Sequence, residues 1–186
     1  MRIRFVTVPF LLLAAAVATT AADTPPRVSR PLLATLEKSL DGRIAKLWDD
    51  NPMALLGSAR GVYLEGFGAV FSAEVNVVMG GATLMHLQWT QADKDQHLQK
   101  KIGRLPQLKR AMKQALMETA AAPALDAVPL DEQVYLAVFL WRYAWEDAAG
   151  SPSQMILQAP KRKLVEAKRA GGKDTALNEV VRVTEY

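Results

Sequence analysis

The sequence predicts an α+β domain, an antiparallel sheet of two hairpins and a possible C-terminal strand with helices packed on one face. Three observations carry this. Apolar residues recur at helical spacing over 32–47 and again over 98–116. Each of those stretches is followed by two short β-type segments separated by turn residues. Helices and strand pairs that alternate as blocks favour an antiparallel sheet with a helical layer.

The elements follow in order. Residues 1–22 read as a signal peptide, with Arg2 and Arg4 ahead of an apolar run from Phe5 to Val17 and small residues through Ala22. This is the order of a secretory signal, with cleavage expected after Ala21 or Ala22. The alternative is an uncleaved anchor in the inner membrane. A spanning helix needs about 20 apolar residues, and the stretch Phe5–Ala22 contains three threonines and a proline. No cysteine is present to carry a lipid. Residues 23–30, with Pro25-Pro26, read as a flexible leader, and 31–186 as a single domain.

Leu32, Leu36, Leu40, Ile44 and Leu47 define the first amphipathic helix, with Ser29 as its cap and Asn51-Pro52 as its stop. Met53-Ala54-Leu55-Leu56 would add one further turn. Gly61–Glu65 reads as a short strand, Gly66-Phe67-Gly68 as a turn or bulge, and Ala69–Val78 as a longer strand. Phe71, Ala73, Val75 and Val77 form its core face. Thr90 and Asp93 open the second helix as a hydroxyl cap with an acid three residues on. That helix runs to about Ala121, and Gly103 and Pro106 predict a kink or two helices in series. Gln133–Tyr143 is apolar at both even and odd positions and reads as a central strand. Ser153–Gln158 is its hairpin partner, Pro160–Ala170 a short basic helix, and Glu179–Glu185 a possible final strand.

Composition restricts the chemistry. The absence of cysteine rules out thiol catalysis and cysteine-based zinc sites. The formal charge of +4 falls to +2 without Arg2 and Arg4, so the overall balance gives little support to nucleic-acid binding. No cofactor is implied. Histidine occurs only at His86 and His97. Asp93 and His97 stand four apart on a helix, but no third ligand follows, and the pair reads as solvated helix surface rather than a metal site. Serine catalysis lacks a GxSxG motif. The glycines at 61, 66 and 68 precede a strand, whereas a dinucleotide loop must end one and open a helix.

The remaining candidates are acids and aromatics. Glu65 and Glu74 on the first hairpin, and Glu146-Asp147 beside Trp141, Tyr143 and Trp145, are the carboxylates that a glycan hydrolase would pair. The plainer reading is that the rings cover the core edge while Glu146-Asp147 starts a solvated turn. Phe67, Trp141, Tyr143 and Trp145 are the candidate binding residues. Lys100, Lys101, Arg104, Lys109, Arg110 and Lys113 form one basic cluster, read mainly as a solvated face. Lys161, Arg162, Lys163, Lys168 and Arg169 form another that would give weak contact with anionic lipid.

The string Ala59–Asn76 (ARGVYLEGFGAVFSAEVN), the segment Leu105–Met112, and Asp131-Glu132-Gln133 leading to Trp145-Glu146-Asp147 together resemble exported hypothetical proteins of Acidobacteria-like bacteria. The resemblance implies export and a single domain and carries no activity or site residues with it. The sequence thus points to an exported cell-envelope protein that binds an envelope partner or small ligand. A periplasmic hydrolase using paired carboxylates is the alternative.

Overall fold

A computed structural model describes residues 28–48, 54–79, 89–146 and 151–186. The signal segment, most of the leader, His86 and Asp147 lie outside them.

Helix α1 spans Arg30–Ala45 and buries Leu33, Leu36, Leu40 and Ile44. Ser29 takes the cap position in extended backbone, although its hydroxyl makes no capping bond. Leu32, expected on the apolar stripe, is exposed. The stripe is set by Leu33 instead, one residue on, which keeps the three- and four-residue spacing to Leu36 and Leu40. The segment expected to add a helical turn is strand β1 (Ala54–Leu55), paired with the end of β3. Strand β2 (Arg60–Leu64) and β3 (Gly68–Asn76) form the first hairpin around the expected Gly66-Phe67-Gly68 turn.

Helix α2 covers Gln91–Ala120 without interruption, although Pro106 lies inside it. Pro106 is on the exposed side, where water can take up the carbonyl that a proline leaves without its amide partner. After a single 3-10 turn at Pro123–Leu125, strands β4 (Gln133–Leu140) and β5 (Gln154–Pro160) form the second hairpin. Helix α3 spans Lys161–Arg169 and a short α4 spans Asp174–Val180. The final strand, β6 (Arg182–Glu185), is shorter than expected because α4 occupies residues 174–180.

The fold is α+β, with the two hairpins and the C-terminal strand in one sheet. Its order is β1-β3-β4-β5-β6, with β2 beside β1 on the same edge of β3. The sheet differs from expectation where the hairpins meet. β3 and β4 are parallel over Gly68–Val75 and Gln133–Leu140, so the sheet is mixed rather than antiparallel. The cause is α2: a long helix between the hairpins carries the chain back along the sheet, and β4 then starts from the same end as β3. Gly68 marks the start of this pair. Its φ is +134°, and a Cβ there would lie 1.9 Å from the Gln133 carbonyl oxygen.

One face of the sheet is the core face. Phe71, Ala73 and Val75 of β3, Val134, Leu136 and Val138 of β4, and Met155 and Leu157 of β5 are buried with the apolar stripes of α1, α2 and α3. The alternate residues face away. Val62, Leu64 and Phe139 are exposed there, and Phe67 stacks on Tyr135 with ring centroids 4.9 Å apart.

The outer edge of β2 is closed by side chains of α1. Glu37 accepts from the Gly61 N–H at 2.6 Å, and Asp41 accepts from the Ala59 N–H at 2.8 Å. Arg30 grips both oxygens of Glu37 from one side. That guanidinium, with the Gly61 amide, holds the Glu37 carboxyl below its ordinary range despite the opposing effect of burial.

Replacing Gly68 by alanine forces a side chain into the Gln133 backbone at a left-handed φ and should cost about 2–4 kcal/mol. Urea denaturation of Gly68→Ala checks this, and an unchanged midpoint would contradict the close approach described here.

Candidate functional site

The parallel join leaves the first half of α2 running past the C-terminal ends of β3 and β4, where residues 141–146 leave the sheet. The helix start is fixed locally. Thr90 accepts from the Asp93 N–H, while the Asp93 carboxylate accepts from the Thr90 N–H and hydroxyl. This capping box sets Trp89 immediately outside the first turn. Six and ten residues beyond Gln91, the inward positions are His97 and Lys101, on one face at i and i+4. Both are buried.

The segment after β4 folds back onto them. The Trp141 N–H donates to the Val75 carbonyl at 2.9 Å, which extends the β3–β4 ladder by one residue. Glu146 turns inward and accepts from the Tyr143 N–H at 3.1 Å through Oε1. Its Oε2 receives the Lys101 ammonium at 2.5 Å, and the same ammonium donates to the Trp141 carbonyl at 2.8 Å. The side chains of Lys101 and Glu146 are 1% and 0% exposed. A pair this deep gains little net energy over apolar packing, yet leaving either charge alone in that position is strongly unfavourable. Its effect is geometric: it fixes the 141–146 segment to α2.

The rings collect around that anchor. Trp89, Tyr143 and Trp145 surround His97 with centroid separations of 5.3, 5.2 and 5.6 Å. Trp141 meets Tyr143 edge-on at 4.3 Å, and Tyr143 stacks with Trp145 at 5.4 Å. Lys94 lies 5.9 Å over Trp145, close enough for a cation–π contact. All four Trp and Tyr side chains are half-buried. The indole N–H of Trp145 is buried without a hydrogen-bond partner. Burial pushes the His97 imidazole below its ordinary pKa. Glu146, 3.9 Å away, opposes this, while Lys101 and Lys100 reinforce it. His97 is therefore a neutral ring in the cluster at neutral pH.

The sequence-derived candidates divide between three places. Trp141, Tyr143, Trp145 and Glu146 come together in this cluster. Phe67 lies on the other face of the sheet against Tyr135, in a turn tied by Glu132, which accepts from the Gly66 N–H at 2.9 Å and the Tyr63 hydroxyl at 3.2 Å. Glu65 is exposed in that turn, and Glu74 is exposed near the far end of β3. The six residue steps from Gly68 to Glu74 alone rise about 20 Å along a strand, so the hairpin does not bring the two acids together. Glu146 does not start a solvated turn: it is enclosed and already paired.

The basic clusters also change character. His97, expected on solvated helix surface with Asp93, is buried, and Asp93 serves the cap. Lys101 and Arg104 are buried, and the Arg104 guanidinium donates to the Val77 carbonyl at 2.9 Å and sits 4.6 Å over the Trp48 ring. Lys109 and Arg110 pair with Glu185 and Asp174. Lys161 is removed from any surface contact: it is 3% exposed and donates to the carbonyls of Leu125 and Val128 at 2.6 Å each. Burial lowers its pKa. Arg162, Lys163, Lys168 and Arg169 remain exposed, with Lys168 paired to Glu118.

Sequence reasoning missed Trp89, Lys101 and the inward orientation of His97. A signal was present in the i, i+4 pair of His97 and Lys101, but the competing apolar pair Leu98 and Ile102 has the same spacing one residue on. Among the described residues, no group of three or more histidine, aspartate or glutamate side chains could hold a metal ion. Comparison with protein-family models, with curated proteins and with solved structures finds no match to this chain.

Two measurements test this geometry. Lys101→Met or Glu146→Leu alone strands a buried charge and should cost about 3–5 kcal/mol, whereas the double variant should recover most of that loss. Additive losses in denaturation would contradict the pairing. For His97, the unfolded ring titrates near 6.5 and the folded one lower. Between those values the unfolded chain binds more protons, so stability is intact above pH 6.5 and declines as pH falls below it. Denaturation midpoints between pH 8 and 5 should show this decline, and His97→Phe should flatten it.

Proposed function

We propose that this chain is an exported, non-enzymatic binding module of the cell envelope whose aromatic cluster receives a glycan. The address rests on the order of residues 1–22, charged, then apolar, then small, and on the resemblance to exported proteins. No described helix is long and apolar enough to cross a membrane.

The observation that carries the binding reading is the assembly of Trp89, Trp141, Tyr143 and Trp145 around His97, held by the buried Lys101–Glu146 pair. Half-exposed rings held in fixed positions present flat apolar surfaces at little cost in conformational entropy. Such surfaces suit the C–H faces of sugar rings. The position, beyond the carboxyl ends of two parallel strands, is where open sheets often receive ligands.

The same cluster argues for binding over turnover. Glu146 is the described carboxylate within it, and both its oxygens are occupied by Lys101 and the Tyr143 amide. The hydrolase alternative needs a second acid across an open cleft, and Glu65 and Glu74 lie on the first hairpin instead.

Titration with soluble N-acetylglucosamine oligomers, followed by tryptophan fluorescence, tests the proposal. Saturable change is expected, with at least tenfold weaker binding in Trp89→Ala and Trp145→Ala. No change in the unmodified protein would overturn it. Cleavage of the oligomers that disappears in Glu146→Gln would replace it with the hydrolase reading.

A further inference from the structure

The described helices pack on one face of the sheet. The side chains that alternate with the core residues form the other face, and there the polar positions expected of a sheet facing water are largely missing. Val62, Val70 and Tyr135 lie side by side in one row across β2, β3 and β4. Leu64 stands two residues from Val62 on the same face, Phe67 stacks on Tyr135, and Phe139 follows four residues along β4. Val62, Leu64, Phe67 and Phe139 are each between 43% and 48% exposed. Contiguous apolar surface of this kind marks an interaction site on a folded chain.

The size, charge and relief of the face indicate what covers it. Five strands about 4.8 Å apart, each about seven residues long at about 3.3 Å per residue, present roughly 550 Å² in projection. Two such faces together reach the roughly 1,000 Å² that a specific interface needs. A small ligand is held in a concavity that encloses most of it, which an open sheet face does not offer.

Charge among the outward strand positions is confined to Arg60 on β2, Arg182 on β6 and Glu74 near the end of β3. Two cations on opposite edges and one anion between them make no single-signed field of the sort that draws a protein to anionic lipid. The centre of the face carries no charge that a second copy would have to desolvate.

The relief is self-complementary. Ser72 and Ala137 pair across β3 and β4, and the outward positions before and after Ala137 are Tyr135 and Phe139. Small side chains thus lie between rings along β4. An identical face turned over by a twofold rotation can set its rings against the small residues, which is how facing layers interdigitate.

We propose that two copies of this chain pack face to face through the open side of the sheet, about a twofold axis lying between the sheets, and form a sandwich with the helices outermost. The two sheets stand about 10 Å apart, and Val62, Leu64, Phe67, Tyr135 and Phe139 become core residues of the dimer. The proposal does not depend on what the aromatic cluster binds.

Sedimentation equilibrium of the purified protein tests it, together with crosslinking. A dimer is expected at about 100 µM chain. Phe139→Lys and Val62→Lys should each weaken association at least tenfold, while Arg162→Gln/Lys163→Gln on exposed α3 leaves it unchanged. Thermal melting confirms that the variants are folded. Because the chain has no cysteine, Ala137→Cys places a single thiol on the face. A bis-maleimide matched to the sheet separation of about 10 Å should then link two copies, whereas the same reagent should not link Glu166→Cys on α3. This readout decides the matter if a lysine variant does not fold. A monomer at that concentration overturns the proposal, as does a dimer that Phe139→Lys leaves intact or whose Ala137→Cys form does not crosslink. A monomer that instead binds phosphatidylglycerol vesicles would assign the face to the membrane.

Discussion

The parallel alignment of β3 and β4 is the constraint on which the rest of the structure depends. Parallel neighbours cannot be joined by a tight turn, because the chain must return the full length of the strand before pairing again. Here α2 makes that return, and at 30 residues it is about 45 Å long, well beyond the eight-residue strand it serves. The surplus has to lie somewhere. It extends beyond the strand ends and offers His97 and Lys101 to the segment that leaves β4. The aromatic cluster follows from the helix being longer than its sheet.

Much of this architecture was legible in the residues, because it depends on local pattern. Alternation on β3 identified Phe71, Ala73 and Val75 as core, and the Thr90–Asp93 signature placed the start of α2 to the residue. What escaped depends on partners distant in sequence. Whether β3 pairs parallel to β4 is not encoded in either strand, since both faces of Gln133–Leu140 are apolar enough for either arrangement. The short β1 exists only because β3 offers its edge at Val75 and Asn76. Without that edge, Ala54-Leu55 has no pattern of its own.

The candidate site was half legible for a related reason. Trp141, Tyr143 and Trp145 stand out in composition, and their clustering follows from proximity in sequence. Lys101 does not stand out: a lysine on a helix rich in lysine reads as surface, and only Glu146, 45 residues away, makes its burial tolerable. Lys161 illustrates the same limit at another position. Its three donors are satisfied in part by two carbonyls near the Pro123–Leu125 turn, and nothing in the run Lys161-Arg162-Lys163 distinguishes the buried member from its exposed neighbours. Buried charge is decided by its counterpart, and sequence analysis one segment at a time does not see the counterpart.

The carboxylates of α1 that bind the β2 amides have an effect on how copies of the protein can meet. A strand edge with free amides is a template for another chain. On the β2 side, Glu37 and Asp41 occupy the Gly61 and Ala59 amides and place two negative charges along that edge, which disfavours an approaching backbone carbonyl. The opposite edge, β6, has no such cover from a helix carboxylate among the described contacts. A sheet with two open edges can polymerise head to tail, whereas one with a single open edge can only pair with its own kind about a twofold axis and then stop. Two acids on one helix thus make the β2 side of the sheet a poor template for a second copy.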